Sequence, residues 1–253
     1  MLLHLHEWGH PEAPPVVCLH GVSAHGRRFR RLAEERLAKH FRVLAPDLRG
    51  HGRSGWEPPW DIDTHLADIL ETVGAAGVER ADWVGHSFGG RLVLELCARQ
   101  PERVERAVLL DPAIQILPHV GFDFAEEAAR DHPFATPEEA IEARLSSPAP
   151  TPRECVEEEA REHLEPDSDG MLRWRHSRAA VATAYSELST DPPPPTVLPD
   201  RSLLVYASQF GLVREDQLQE YAGGPELVAV DGGHIVYWDA FEETADALER
   251  FLL

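Results

Sequence analysis

Positive charge is scarce in this chain. Its 253 residues hold 24 Lys+Arg against 44 Asp+Glu, a formal net charge of −20, and Lys39 is the only lysine. Nucleic-acid backbones are bound through clustered Lys and Arg, so this balance speaks against a nucleic-acid partner and equally against docking on an anionic membrane surface. Cysteine is also rare. Cys18, Cys97 and Cys155 are odd in number, far apart and without metal or redox spacing, which argues against a disulfide framework. Cys18, inside the apolar run Val16-Val17-Cys18-Leu19, reads as a buried free thiol. No stretch approaches the roughly 20 apolar residues of a membrane helix. Met1-Leu2-Leu3-His4-Leu5-His6-Glu7 is too short and too polar for a secretory apolar segment. The expectation is a cytoplasmic protein. What remains, 43% hydrophobic and 27% charged residues, is ordinary for a globular chain. The length suits one α/β domain with insertions, or two small domains.

Short apolar runs recur between Gly, Pro and charge: Val16 to Leu19, Val43 to Ala45, Trp83-Val84, Ala107 to Leu110, Leu203 to Tyr206 and Leu227 to Val230. Runs without alternation predict strands buried on both faces of a parallel sheet. Helical spacing fills the gaps, with Phe29, Leu32, Ala33 and Leu37 after the first run and Leu66, Ile69, Leu70 and Val73 after the second. Phe241, Ala245, Leu248 and Leu252 close the chain in the same way. Strand alternating with helix predicts an α/β fold: a mostly parallel central sheet with helices on both faces. Between Asp111 and Leu203 the alternation stops. That segment predicts short helices without a strand, among them Pro137 to Leu145 and Pro152 to Leu164, and ends at Asp191-Pro192-Pro193-Pro194-Pro195. It has too little apolar mass for a core of its own and reads as an insertion.

The sharpest motif is Gly85-His86-Ser87-Phe88-Gly89-Gly90, placed between the strand at Trp83-Val84 and the apolar stretch Leu92 to Ala98. G-x-S-x-G alone is weak; strand, sharp turn and helix together form a nucleophile elbow that lifts Ser87 above the sheet. A serine needs a base to take its proton. His234, in Asp231-Gly232-Gly233-His234, follows the last predicted strand and precedes the terminal helix, where an imidazole can lean inward. The oxyanion of acyl transfer needs preorganised N–H donors. His20-Gly21-Val22 follows the first buried strand, so the backbone amides of Val22 and Phe88 are the candidate donors, with His20 shaping that loop.

Taken with Asp47-Leu48-Arg49-Gly50-His51-Gly52-Arg53-Ser54, these motifs resemble the α/β-hydrolase superfamily across nearly the whole chain. The resemblance implies a core of residues 1–111 and 202–253 and a helical cap, residues 112–201, inserted after the strand ending near Leu110. It is specific for fold and nucleophile and unspecific for substrate. One position departs from it. Such enzymes usually carry their acid after the penultimate strand, where Phe210 stands in Ala207-Ser208-Gln209-Phe210-Gly211-Leu212-Val213. A phenyl ring cannot orient an imidazole as a carboxylate does. Asp111, at the end of the strand Ala107 to Leu110, keeps the chain order serine, acid, histidine. Glu215, Asp216 and a dyad without an acid remain open.

The expected activity is hydrolysis of carboxylic esters of small to medium acyl chains through an acyl-enzyme on Ser87, with no metal or cofactor and a small-molecule ester as partner. A lactone, amide or C–C hydrolase uses the same constellation, and a ligand-binding receptor with a vestigial site is the alternative outside enzymes. Trp56, Trp60, Phe122, Phe124, Trp174 and Tyr237 line an acyl pocket or pack in the core. His25 is placed at the site entrance. His4 and His6 share a strand face, with no third metal ligand apparent, and Glu157-Glu158-Glu159 reads as a solvated helix face.

Overall fold

Each apolar run becomes a strand, and in all but the last of them alternate residues feed two separate cores. The computed structural model describes residues 1–146 and 149–253. Its strands are β1 (Leu5–Trp8), β2 (Pro15–Leu19), β3 (Arg42–Pro46), β4 (Ala81–His86), β5 (Val104–Leu110), the short β6 (Leu164–Pro166) and β7 (Leu172–Trp174), β8 (Ser202–Ala207) and β9 (Glu226–Val230). Seven of them form one sheet in the order β1-β3-β2-β4-β5-β8-β9. Within it, only β1 runs antiparallel to its neighbour. The helices are α1 (Arg30–Glu35), α2 (Ile62–Ala75), α3 (Phe88–Arg99), α4 (Pro118–Ala129), α5 (Pro137–Leu145), α6 (Arg153–His163), α7 (Arg178–Leu188), α8 (Glu215–Tyr221), α9 (Val236–Asp239) and α10 (Phe241–Leu252).

Val17, Leu19, Leu44, Trp83, Leu109 and Leu204 pack on one face against Ile69 and Val73 of α2 and Leu92, Val93 and Leu96 of α3. Val16, Cys18, Val43, Val84, Val108 and Val205 pack on the other against α1 and α10, where Phe241, Ala245, Leu248 and Leu252 form the predicted stripe. The all-apolar runs are therefore explained by helices on both faces. The exception is β9, an edge strand whose Glu226, Leu227 and Ala229 are exposed because cover is incomplete there. The three cysteines are free and buried.

Between β5 and β8 lie α4 to α7. The expectation of helices without a strand is corrected here, since β6 and β7 pair antiparallel. Three-residue strands carrying Glu165 and Arg173 leave no apolar run, and only the turn Asp167-Ser168-Asp169-Gly170, with Gly170 at φ +80°, announces the hairpin. A small cluster of Ile141, Val156 and Ala160 holds α5 on α6, while Ala184 and Leu188 of α7 join the main core. Among the described residues no helix is long and apolar enough to cross a membrane.

Candidate active site

The chain turns from β4 into α3 at Ser87, whose φ of 54° and ψ of −116° are unusual for a residue with a side chain. Backbone bonds hold it there. Its N–H donates to the Leu110 carbonyl at 3.1 Å, and its carbonyl accepts from Gly90 at 2.9 Å and Ala113 at 3.1 Å. Gly89 is required by crowding, because a Cβ would sit 2.1 Å from the Leu19 carbonyl oxygen. The loop after β2 also passes close: a Cβ on Gly21 would lie 2.9 Å from Ser87 Cβ and 3.3 Å from its Oγ. Val22 is the next residue, and Phe88 is the first residue of α3, so its N–H has no acceptor within the helix. His20 ties this loop down, accepting from the Leu48 N–H through Nε2 at 2.8 Å and approaching the Gly21 carbonyl through Nδ1 at 2.8 Å. Burial holds it neutral, well below the usual histidine range.

His234 lies between β9 and α9, and its Nδ1 is 2.6 Å from Asp111 Oδ2. Asp111 follows β5 directly, is fully buried and has φ 39°. Its N–H donates to the Val205 carbonyl at 2.7 Å, and its Oδ1 accepts from the Ala207 N–H at 3.1 Å. The His234 carbonyl sits 2.9 Å from His86 Nε2, with the two rings 4.6 Å apart. The imidazole of His234 is thus held beside the residue preceding Ser87. Ser87 and His234 make no direct hydrogen bond here, and such bonds are often loose without substrate. Glu215 and Asp216 open α8, where Asp216 pairs with Arg214 at 3.1 Å and Glu215 accepts from Gln219 at 3.3 Å. Of the three carboxylates that the sequence offers, Asp111 is the one bonded to His234.

Phe210 takes a part that the sequence did not announce. Its ring stacks on His234, centroids 5.0 Å apart and planes within 13°. Three further expectations are corrected. His25 is not at an entrance: it is buried, its ring 3.2 Å from that of His163. Glu159 is not solvated, because it faces inward with Val156 and Ala160 and accepts from Arg28 Nε at 2.9 Å. That spacing on α6 was the overlooked signal. His4 and His6 do have a third neighbour, as ligand atoms of both and of Asp47 lie within 4.8 Å of one another. The Asp47 carboxylate, however, already accepts from Gly26 N–H and Arg53 N–H, each at 2.8 Å, and meets His6 Nε2 at 3.0 Å. It pins the loops after β2 and β3.

A cleft of about 1090 Å³ opens beside this region, with Trp56, Phe124 and Trp174 in its walls and Ser23, one residue past Val22, at its edge. Neither Ser87 nor His234 is in its lining. Tyr237 belongs instead to the core, stacked on Phe29 at 4.7 Å, and Phe122 points to solvent.

A parallel sheet that carries this elbow defines a class of protein by its geometry. Residues 14–219 match the family described as alpha/beta hydrolase fold, and the chain belongs to that family. It is similar to lipase LipV of Mycobacterium tuberculosis, 31% identical over 240 residues that cover 92% of this chain and 91% of that protein. Among solved structures, E-2-(acetamidomethylene)succinate hydrolase superposes with a TM-score of 0.87 at 23% identity, covering 99% of this chain and 94% of that one. A marine microorganism esterase gives 0.79 at 20% identity, covering 99% of both. At those identities the two structures speak for the fold alone. The chain is a hydrolase of the alpha/beta family.

Proposed function

We propose that this hydrolase cleaves carboxylic esters of small to medium acyl chains with Ser87 as nucleophile, His234 as base and Asp111 as the acid that orients it. The observation carrying the reading is the 2.6 Å contact between His234 Nδ1 and the buried Asp111 carboxylate, beside the strained turn that presents Ser87. With the proton fixed on Nδ1, Nε2 is left free to accept the Ser87 hydroxyl proton as Oγ attacks the ester carbonyl. The Val22 and Phe88 amides receive the oxyanion. His234 returns the proton to the departing alcohol, then takes one from water, whose attack on the acyl-enzyme releases the acid. The scheme uses no metal or cofactor, and its only partner is the ester. Residues 112–201 act as the cap, bringing Phe124 and Trp174 over the cleft for the acyl group, and the protein works in the cytoplasm. Its similarity to a protein named as a lipase supports the ester class.

A p-nitrophenyl ester series, acetate to a long acyl chain, tests this with wild type and Ser87→Ala in parallel. Turnover should fall by roughly 10⁴-fold or more in the variant, and the chain-length optimum should lie at short to medium chains. An undiminished Ser87→Ala sinks the mechanism. Absence of both turnover and fluorophosphonate labelling of Ser87 moves the reading to a binding role.

A further inference from the structure

A buried set of charges under α5 and α6 has no part in that chemistry. Arg28, from the turn Gly26–Phe29, and Arg144, of α5, share one acid: both donate to Glu159 Oε1, Arg28 Nε at 2.9 Å and an Arg144 terminal nitrogen at 3.4 Å. His25 Nε2 lies 3.6 Å from the same oxygen. Burial keeps the surrounding imidazoles uncharged, pulling His25 down, His51 to about 4, and His163 and His176 to about 3. Two guanidiniums therefore share one carboxylate, in a chain whose total charge is −20. A buried charge without its own counterion is costly.

Arg144 is the member that can reach a ligand. Arg28 and Glu159 side chains are 4% and 2% exposed, whereas Arg144 is 29% exposed and lines the cleft, its guanidinium 4.9 Å from the Trp174 ring. Its Nε is buried without a hydrogen-bond partner among the described residues. The other arginines of the cleft wall each pair with a carboxylate outside this cluster: Arg130 with Glu127, Arg173 and Arg178 with Asp131, Arg175 with Glu165. Among the described residues Arg144 has only its weak share of Glu159, and the same cleft extends to Ser23 beside the candidate oxyanion loop.

We propose that Arg144 receives a carboxylate of the substrate, so that the preferred esters are hemiesters of short dicarboxylic acids. A planar guanidinium with unused N–H donors suits a carboxylate, and its place over Trp174 holds the fork flat. The ester half of this inference rests on the serine-hydrolase reading; the anion site does not.

Two measurements separate them. In the first, glutarate is titrated calorimetrically into Ser87→Ala protein and into Ser87→Ala/Arg144→Gln. Binding should be measurable in the former and weaker by about 10–100-fold in the latter, the range for losing a hydrogen bond to a charged group. In the second, kcat/KM is compared for mono-p-nitrophenyl glutarate and p-nitrophenyl butyrate. Wild type should favour the hemiester by about 10-fold or more, Arg144→Gln should abolish that preference, and Arg144→Lys should keep part of it. Glutarate binding that depends on Arg144 without any ester turnover supports the anion site and overturns the esterase reading. Turnover with butyrate equal to or better than the hemiester, unchanged in Arg144→Gln, overturns the anion site and leaves the esterase. If Arg144→Gln fails to fold, wild type decides: absence of both glutarate binding and hemiester preference overturns the proposal.

Discussion

Asp111 adopts a left-handed backbone that a side chain tolerates only when its surroundings over-determine it. Here the Val205 carbonyl, the Ala207 N–H and His234 Nδ1 do so together. An asparagine in its place would fit, but it could present N–H toward Nδ1 and favour the wrong tautomer. Asp111→Asn should therefore lower kcat by roughly 10²–10⁴-fold with little change in KM or fold. Glu215→Gln and Asp216→Asn should be near silent in the same steady-state assay, since neither touches His234. Full activity in Asp111→Asn would remove it from the mechanism. The missing acid at position 210 was legible in the sequence, and so was the order that favours Asp111. The stacking of Phe210 on His234 was not, because a face-to-face contact between two loops leaves no periodicity or spacing. Phe210→Ala should cost about 2–10-fold in kcat, the scale of one aromatic contact, and no shift in the assay would mean that the ring only shields.

At the level of elements, the strands and the α2, α3 and α10 stripes were legible because burial on both faces of a parallel sheet demands apolar residues in sequence-local patterns. The β6–β7 hairpin was not, because three-residue strands leave no apolar run; on α6 the face of Val156, Ala160 and His163 was legible, but the inward turn of Glu159 onto it was not, because its partner lies far along the chain. Glu159 meets Arg28 across 131 positions. Glycine separates local from tertiary demand in the same way. A Cβ added to Gly74, in α2, would meet nothing within 4 Å among the described residues, whereas at Gly89 the obstacle is backbone oxygen of β2. Gly74→Ala should raise stability by about 0.5–1 kcal/mol through helix propensity. Gly89→Ala should lower it by about 1–3 kcal/mol or more, because α3 must move away from β2 to make room. Urea unfolding of the two variants measures both, and a harmless Gly89→Ala would show that the α3–β2 contact is looser than its geometry.

Over the whole molecule, acid resistance is set by histidines that fold into the interior uncharged. His51 is fully buried with its titration pulled down to about 4, and His65 is pulled down to about 3, both chiefly by loss of hydration. In the unfolded chain each takes a proton near pH 6.5. Between that pH and about 4 the unfolded state consequently binds more protons than the folded one, and stability falls as pH falls. Above pH 6.5 both states are neutral at these sites and the full contribution is present. Each such histidine can contribute up to about 1.4 kcal/mol per pH unit in that window. The carboxylates held low by partners, Asp47 and Asp68 among them, lose their contribution as pH falls through the ordinary carboxylate range and below it, and so leave the upper part of the window to histidine. His65 gives the clean test. Neither ring nitrogen has a hydrogen-bond partner among the described residues, and the ring packs edge-on against Phe88 at 5.4 Å. A phenyl ring can take that place without titrating. Urea midpoints measured from pH 7 to pH 4.5 should decline steeply for wild type and less steeply for His65→Phe. Identical slopes would mean that His65 gains its proton in the folded protein as readily as in the unfolded chain, and that the acid sensitivity resides elsewhere.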